Sequence, residues 1–449
     1  MRTRLKNFWE KLRTSYWFVP SLMMAGALLL ALGINALDEV WTPDWLWESD
    51  WAHKNEPEGA RELLSTAAGG MITVTGVVFS ITIVALSLAS QQFGPRLLYN
   101  FMRDRGNQFA FGTFLATYLY CLLILRTIRQ GSDSYVPHLS ILVGFLLVIL
   151  SLGVLIYFIH HVAESIQAMT VIATVHGDLQ RKIEKIFPVP CEESLPWSRE
   201  ASERLMPEDF EGRALAIKAG KSGYLQAVNG EGLMQVARKY DLLIRYENRP
   251  GHYLIKDSTI ARVLPLGGKE SQKWQKSVKE AFIIGKQRTQ EQDVEFLIHE
   301  LVEIAVRALS PGINDPHTAI NCIDRLGSTL AELAGRAMPS SCLHDREGNL
   351  RLITRPHTWQ GLVEASIDQI RQYGLGSVAV TIRLLEMIGA VLPFVRDESR
   401  RQALLRQAAM IERGSQQAFS EESDCEDIRR RYLAIFDVLE QTAGITGGK

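Results

Sequence analysis

Four stretches of roughly twenty residues carry no charge at all, and they limit what this chain can fold into more than any other feature. They occupy 17–37, 67–89, 109–125 and 139–159. A hydrocarbon core about 30 Å thick is crossed by about 20 apolar residues rising 1.5 Å each in a helix. Lipid offers no partner to a backbone amide, so each stretch is expected to be helical. A cleaved signal peptide does not account for the first run: it is long, no A-x-A site follows it, and three more spans come after. The averages conceal this division. Net charge is −1 and mean hydropathy is zero over 449 residues, because most of the charge lies after the fourth run. A balanced charge gives no support for nucleic-acid binding.

Direction follows from the Lys/Arg bias. Arg2, Arg4, Lys6, Lys11 and Arg13 precede the first span against Glu10 alone, which keeps that end in the cytoplasm. The loop 38–62 carries Asp38, Glu39, Asp44, Glu48, Asp50, Glu56, Glu58 and Glu62 against Lys54 and Arg61, and should face outward. Arg96, Arg103 and Arg105 mark the next loop as inside, while Arg126 and Arg129 are weakly contrary for the last. Four spans return the chain to the cytoplasm, so both termini are expected there, at the cell inner (plasma) membrane. Trp41, Trp45, Trp47 and Trp51 would then lie near the outer interface. The five cysteines are scattered without metal-ligand spacing and read as reduced thiols.

The second span differs from the others. Thr66, Thr73, Ser80 and Ser87 recur every seven residues, with Gly69 and Gly76 on the same side. At about 3.6 residues per turn, that period makes a nearly straight row. Thr75 and Thr82 repeat at the same interval. Small residues and hydroxyls serve close helix packing. They can equally line a pore when several copies surround an axis, with Glu62 and the acidic loop as a cation-attracting vestibule. A closed pore is also a packed interface, so the two readings are compatible. The elbow after this span, with Phe93, Leu97, Leu98 and Phe101 beside Arg96, Arg103 and Arg105, reads as an interfacial helix at lipid headgroups.

The fold class expected is therefore a membrane, all-α N-terminal region of four transmembrane helices, 1–160, with a cytoplasmic α+β, mostly helical C-terminal region. Between them a helical stalk continues the fourth span over 161–187, followed by a Pro-rich linker at 188–212. A small mixed, barrel-like α/β module is expected over 213–268, and a mainly helical domain over 269–449. In the module, 223–229, 242–247, 252–256 and 259–265 read as strands and 230–241 as a short helix. The run PGHYLIKDSTIARVLP is similar to barrel-sandwich modules, yet the residues around Lys256 match no lipoyl or biotinyl attachment motif. Further on, 290–309 is amphipathic, with His299, Glu303 and Arg307 on its polar side. His160 and Glu164 sit one turn apart, as a solvated pair would.

RTQEQDVEFLIHELVEIAVRALSPGINDPHTAINCIDRL, with its core RALSPGINDPHTA, resembles the signature of the DUF2254 family of bacterial membrane proteins. VVFSITIVALSLASQQFGPRLL and SGYLQAV…RPGHYL extend the resemblance over most of the chain. It implies an inner-membrane protein, and implies no reaction, ligand or catalytic residue. Where a typical member has an acidic residue after Pro-Gly, this chain has His252.

No GxSxG, P-loop or strand-linked GxGxxG is present, and His299 with Glu303 lacks the second histidine of a zinc motif. Neither an enzyme, a cofactor nor a metal is expected. Ser310, Asn314, Asp315 and His317 in SPGINDP form either a structural turn or a loop for a small ion or polar ligand. The leading expectation is a homo-oligomeric ion channel or channel-like transporter for cations, with a cytoplasmic sensing or assembly domain. The second is a membrane-anchored regulatory or scaffold protein without a pore. The third is a membrane-bound enzyme that gathers His299, Asp315 and His317.

Overall fold

The computed structural model describes residues 17–40, 57–94, 104–129, 135–187, 206–267 and 272–446, with side chains as far as 440. The basic residues 2–13, Trp41, Trp45, Trp47, Trp51, Arg96, Arg103, Cys191 and linker residues 188–205 lie outside these. The chain divides into two compact units, 1–170 and 171–449.

In the first unit, α1 (Phe18–Val40), α2 (Pro57–Phe93), α3 (Arg105–Thr127) and α4 (His138–Ser165) are all long and apolar enough to cross a membrane. The third span, expected to be short, is a helix of 23 residues. The second begins ten residues before its uncharged run and has 37 residues, about 55 Å at 1.5 Å each. Glu58, Arg61 and Glu62 therefore belong to a helix, where a loop was expected.

α3 is the centre of this unit, packing against α1, α2 and α4. It is the least apolar of the four helices and the most buried. Gly112 lets α1 approach, since a Cβ there would strike the Met23 sulfur and press on the Pro20 backbone. Polar groups find partners inside: Thr117 and Ser151 hydroxyls meet at 3.0 Å, and Tyr120 donates to the Ser140 carbonyl at 3.0 Å. The outer faces of α1 and α4 expose Leu22, Leu29, Leu32, Leu150 and Ile156.

The fourth span does not continue as an unbroken stalk. α4 stops at Ser165, and α5 (Ala168–Ile186) starts after a tight turn in which Gln167 N–H donates to Glu164 O. The Ser165 hydroxyl donates to Val162 O, competing with the helical ladder at the break. α5 is amphipathic and buries Ile172, Val175, His176, Leu179 and Ile183.

The C-terminal unit then builds two small sheets. β1 (Leu215–Lys218), β2 (Gly223–Val228), α6 (Gly230–Tyr240), β3 (Leu242–Arg245), β4 (Tyr253–Leu254), β5 (Thr259–Pro265), α7 (Gln272–Glu280) and β6 (Phe282–Gly285) follow one another. The three-stranded sheet has the order β4-β2-β6. The five-stranded sheet has the order β1-β5-β3-β8-β7, so pairing extends past residue 268 and takes in strands from the helical half. Among the described strands only β3 and β8 pair in parallel. Leu225, Ile244, Val263, Phe282 and Trp274 share one core.

α8 (Val294–Ala308), α9 (Pro316–Ala334), the hairpin β7 (Cys342–His344) and β8 (Leu350–Ile353), α10 (Trp359–Tyr373), α11 (Val378–Val391), α12 (Glu398–Ala418) and α13 (Glu422–Thr446) complete the chain. α8 carries its expected apolar stripe inward, with Leu297, Ile298 and Leu301 fully buried. Side-chain caps on Asp293, Asp315, Thr358, Ser377 and Asp397 start α8 to α12.

Candidate functional site

The hydroxyl row of α2 lies on the surface of the membrane unit. Thr66, Gly69, Thr73, Gly76, Ser80 and Ser87 are all exposed, whereas Leu64, Ala68, Met71, Thr75, Val78, Thr82 and Ala85 form the buried face. At 100° per residue, Thr73 and Thr82 stand on opposite sides of the helix. The buried pair is locally satisfied: Thr75 donates to Met71 O at 2.7 Å and Thr82 to Val78 O at 2.8 Å. Thr73, in the exposed row, also donates backward, to Gly69 O at 2.8 Å. Among the described residues, and apart from the helix's own neighbouring backbone, no atom stands within 4 Å of where a Cβ would lie on Gly69, Gly70 or Gly76. Among the described residues the row is thus open along its length.

Of the acidic residues expected to form an outer vestibule, Glu58 and Glu62 are exposed on the first turns of α2. Asp38 is not available for that role. It is 6 % exposed and accepts from Leu139 N (3.0 Å), Ser140 N (2.8 Å) and Ser140 Oγ (2.6 Å). Its carboxylate caps α4 from the end of α1, where free N–H groups and the helix dipole favour an anion.

At the other end of α3, Asp104 accepts from Gly106 N at 2.8 Å and pairs with His161 Nε2. The His161 ring stacks on Tyr157. Asn107, one turn on, is buried, and neither atom of its amide has a hydrogen-bond partner among the described residues.

SPGINDP connects α8 to α9. Asn314 adopts φ +51. Asp315 N donates to Ala308 O at 2.7 Å, and its carboxylate caps α9 through Thr318 N (3.1 Å) and Thr318 Oγ1 (2.6 Å). The Thr318 hydroxyl bond, with the Thr318 and His317 amides, holds the Asp315 carboxyl below its ordinary value despite some burial. The Ser310 hydroxyl donates to Arg307 O at 2.6 Å. Asn314 and His317 are exposed. His299 stands nine residues before Ala308, about 14 Å along α8. Arg307 and Glu303 form the i, i+4 ion pair at 3.3 Å. His160 and Glu164 are an exposed pair at 3.8 Å.

A further charge cluster joins residues that sequence spacing does not bring together. At the start of α8, Glu295 is paired with Arg249 (2.5 Å) and His357 Nδ1 (3.3 Å), while Asp293 is paired with Arg288 (2.7 Å). Asp293 is fully buried and accepts from Phe296 N at 3.1 Å. Burial works against the charged Glu295 carboxylate, but His357 and Arg249 outweigh it and hold this carboxyl down to about 2. Burial, helped by Arg249, pushes the His252 imidazole below its ordinary value. Gly251 has φ +98, and a Cβ there would collide with the Asp293 carboxylate. The RPG segment thus closes onto the cap of α8. The juxtaposition of RPG with QDVE could have flagged it, since both belong to the segments carrying the family resemblance. Every charge in it is matched, as in a structural clamp. Among the described residues no group of three or more His, Cys, Asp or Glu side chains is placed to hold a metal ion.

Comparison with known proteins places these features in a family. The family described as "Predicted membrane protein (DUF2254)" matches residues 13–390. An uncharacterized protein of Mycobacterium bovis is 31% identical over 434 residues, covering 94% of this chain and 80% of its own. An uncharacterized protein of Mycobacterium tuberculosis matches with the same identity and coverage. No solved structure matches the chain.

Proposed function

This chain belongs to the DUF2254 family of predicted membrane proteins, and on that premise we propose that it is a homo-oligomeric, channel-like protein of the inner membrane. The α2 row of Thr66, Thr73, Ser80 and Ser87 faces the shared axis, and the C-terminal unit serves on the cytoplasmic side as sensor or assembly platform. One observation carries this reading: the row with its two glycines is exposed along a membrane-spanning helix, opposite the face that packs on α3. Acyl chains gain little from hydroxyls and glycines, whereas a neighbouring helix gains close approach. Glu58 and Glu62 at one end of the row favour cations, and the basic residues 2–13 favour cytoplasmic termini.

A scaffold without a pore is supported by a different detail. Thr73 already bonds to its own helix at 2.8 Å, so the row can serve packing without meeting water. Reconstitution separates the two. The channel reading predicts an oligomer that conducts cations and loses conductance in Thr73→Leu and Ser80→Leu. Protein that never conducts, whether oligomer or monomer, selects the scaffold and contradicts the channel.

A further inference from the structure

We propose that the membrane unit holds one anionic phospholipid in a groove between α3 and α4, independently of whether it forms a pore. The groove has a volume of about 780 Å³ and is lined by Arg105, Gly106 and Phe109 of α3 and by Ile149, Leu150, Gly153, Val154 and Tyr157 of α4. Its walls are almost wholly apolar, and Ile149, Leu150 and Tyr157 are exposed on the outer face of α4, so it opens where lipid is the solvent.

Its depth suits one acyl chain. From Tyr157 to Ile149 is eight residues of helix, about 12 Å, against a leaflet about 15 Å deep. Gly153 leaves space midway, with no atom within 4 Å of a Cβ position. Phe109 supplies the facing wall, and Tyr157 stands at the end nearest Arg105, where an amphipathic ring meets headgroups.

Charge selects the headgroup. Arg105 is exposed at the mouth and has no ion pair among the described residues. The adjacent carboxylate, Asp104, is directed to His161 and to the Gly106 amide, and makes no ion pair with Arg105 among the described residues. The amide end of α3 is likewise occupied by its own cap. The guanidinium is the group left to bind a phosphate, with its fork of donors.

The test uses the full-length protein, delipidated in mild detergent and offered phosphatidylglycerol or phosphatidylcholine, with bound lipid counted by native mass spectrometry. The wild type should retain one phosphatidylglycerol per protomer and prefer it over phosphatidylcholine. Arg105→Ala, an exposed truncation that leaves the fold alone, should reduce that preference about fivefold, the factor that matches about 1 kcal/mol per surface cation. Gly153→Phe should lose both lipids. A wild type that retains neither lipid would overturn the proposal. So would an undiminished preference in Arg105→Ala.

Discussion

The two units treat polar groups in opposite ways. In the membrane unit the outside is apolar and the polar contacts are inside: Asp38 on the start of α4, Thr117 against Ser151, Tyr120 on Ser140. In the C-terminal unit Leu, Ile and Val are inside, and two carboxylates at the start of α8 are held by cations: Asp293 by Arg288 and the partly buried Glu295 by Arg249. Each arrangement suits its solvent. Lipid rewards apolar surface and penalises an unsatisfied dipole, so polarity retreats to helix contacts. Water removes apolar groups, so a charge is enclosed only where a partner compensates it. Exposure therefore has a different meaning in each unit, and the α2 row stands out because it is polar on the side where α1 and α4 present Leu and Ile.

The sharpest way to break this comparison is to strip a partner from the enclosed charges. Glu295→Ala leaves Arg249 and His357 facing each other and should cost about 3–5 kcal/mol, read by chemical unfolding followed through signals from the C-terminal unit. The same pair gives a pH signature. The Glu295 carboxyl titrates at about 2 when folded, below its ordinary 4.5. The unfolded chain thus takes up the proton more readily, so this contribution is complete above the ordinary value and is lost as pH falls from there toward 2. Glu295→Gln should flatten that acid slope; an unchanged slope would remove the clamp from the account.

Next in size is Asp38→Ala. It takes the cap from α4 inside the membrane unit and should cost about 2 kcal/mol, measured as loss of thermal stability in detergent. Stability left intact would return Asp38 to the role of a free acidic residue. The smallest effect belongs to Glu303→Ala. Its partner Arg307 is half-exposed, and water screens the pair, so stability should change by no more than about 0.5 kcal/mol.

What the sequence reveals depends on how local the cause is. The four uncharged runs, the amphipathic stripe of α8 and the hairpin around Gly348 are readable because periodicity and turn chemistry are properties of neighbouring residues. The Thr75/Thr82 pair and the Thr73 row look alike in sequence, and only the position of α3 separates buried from exposed. Asp38 reads as one more loop acid, since its partners at Leu139 and Ser140 lie about a hundred residues away. The Arg249–Glu295–His357 set joins three distant segments, and no spacing rule brings them together. Nor does composition reveal the break at Gln167, where a single serine hydroxyl and a tightened turn interrupt a pattern that otherwise continues as helix.

The central claim is that the Thr66–Ser87 row meets its counterpart in another copy, and cysteine crosslinking in native membranes tests it most directly. Ser80→Cys and Thr73→Cys should each give covalent dimers under mild oxidation, whereas Ile156→Cys on the exposed face of α4 should remain monomeric. Equal crosslinking at Ile156→Cys, or none at Ser80→Cys and Thr73→Cys, would place the row against lipid and contradict the account.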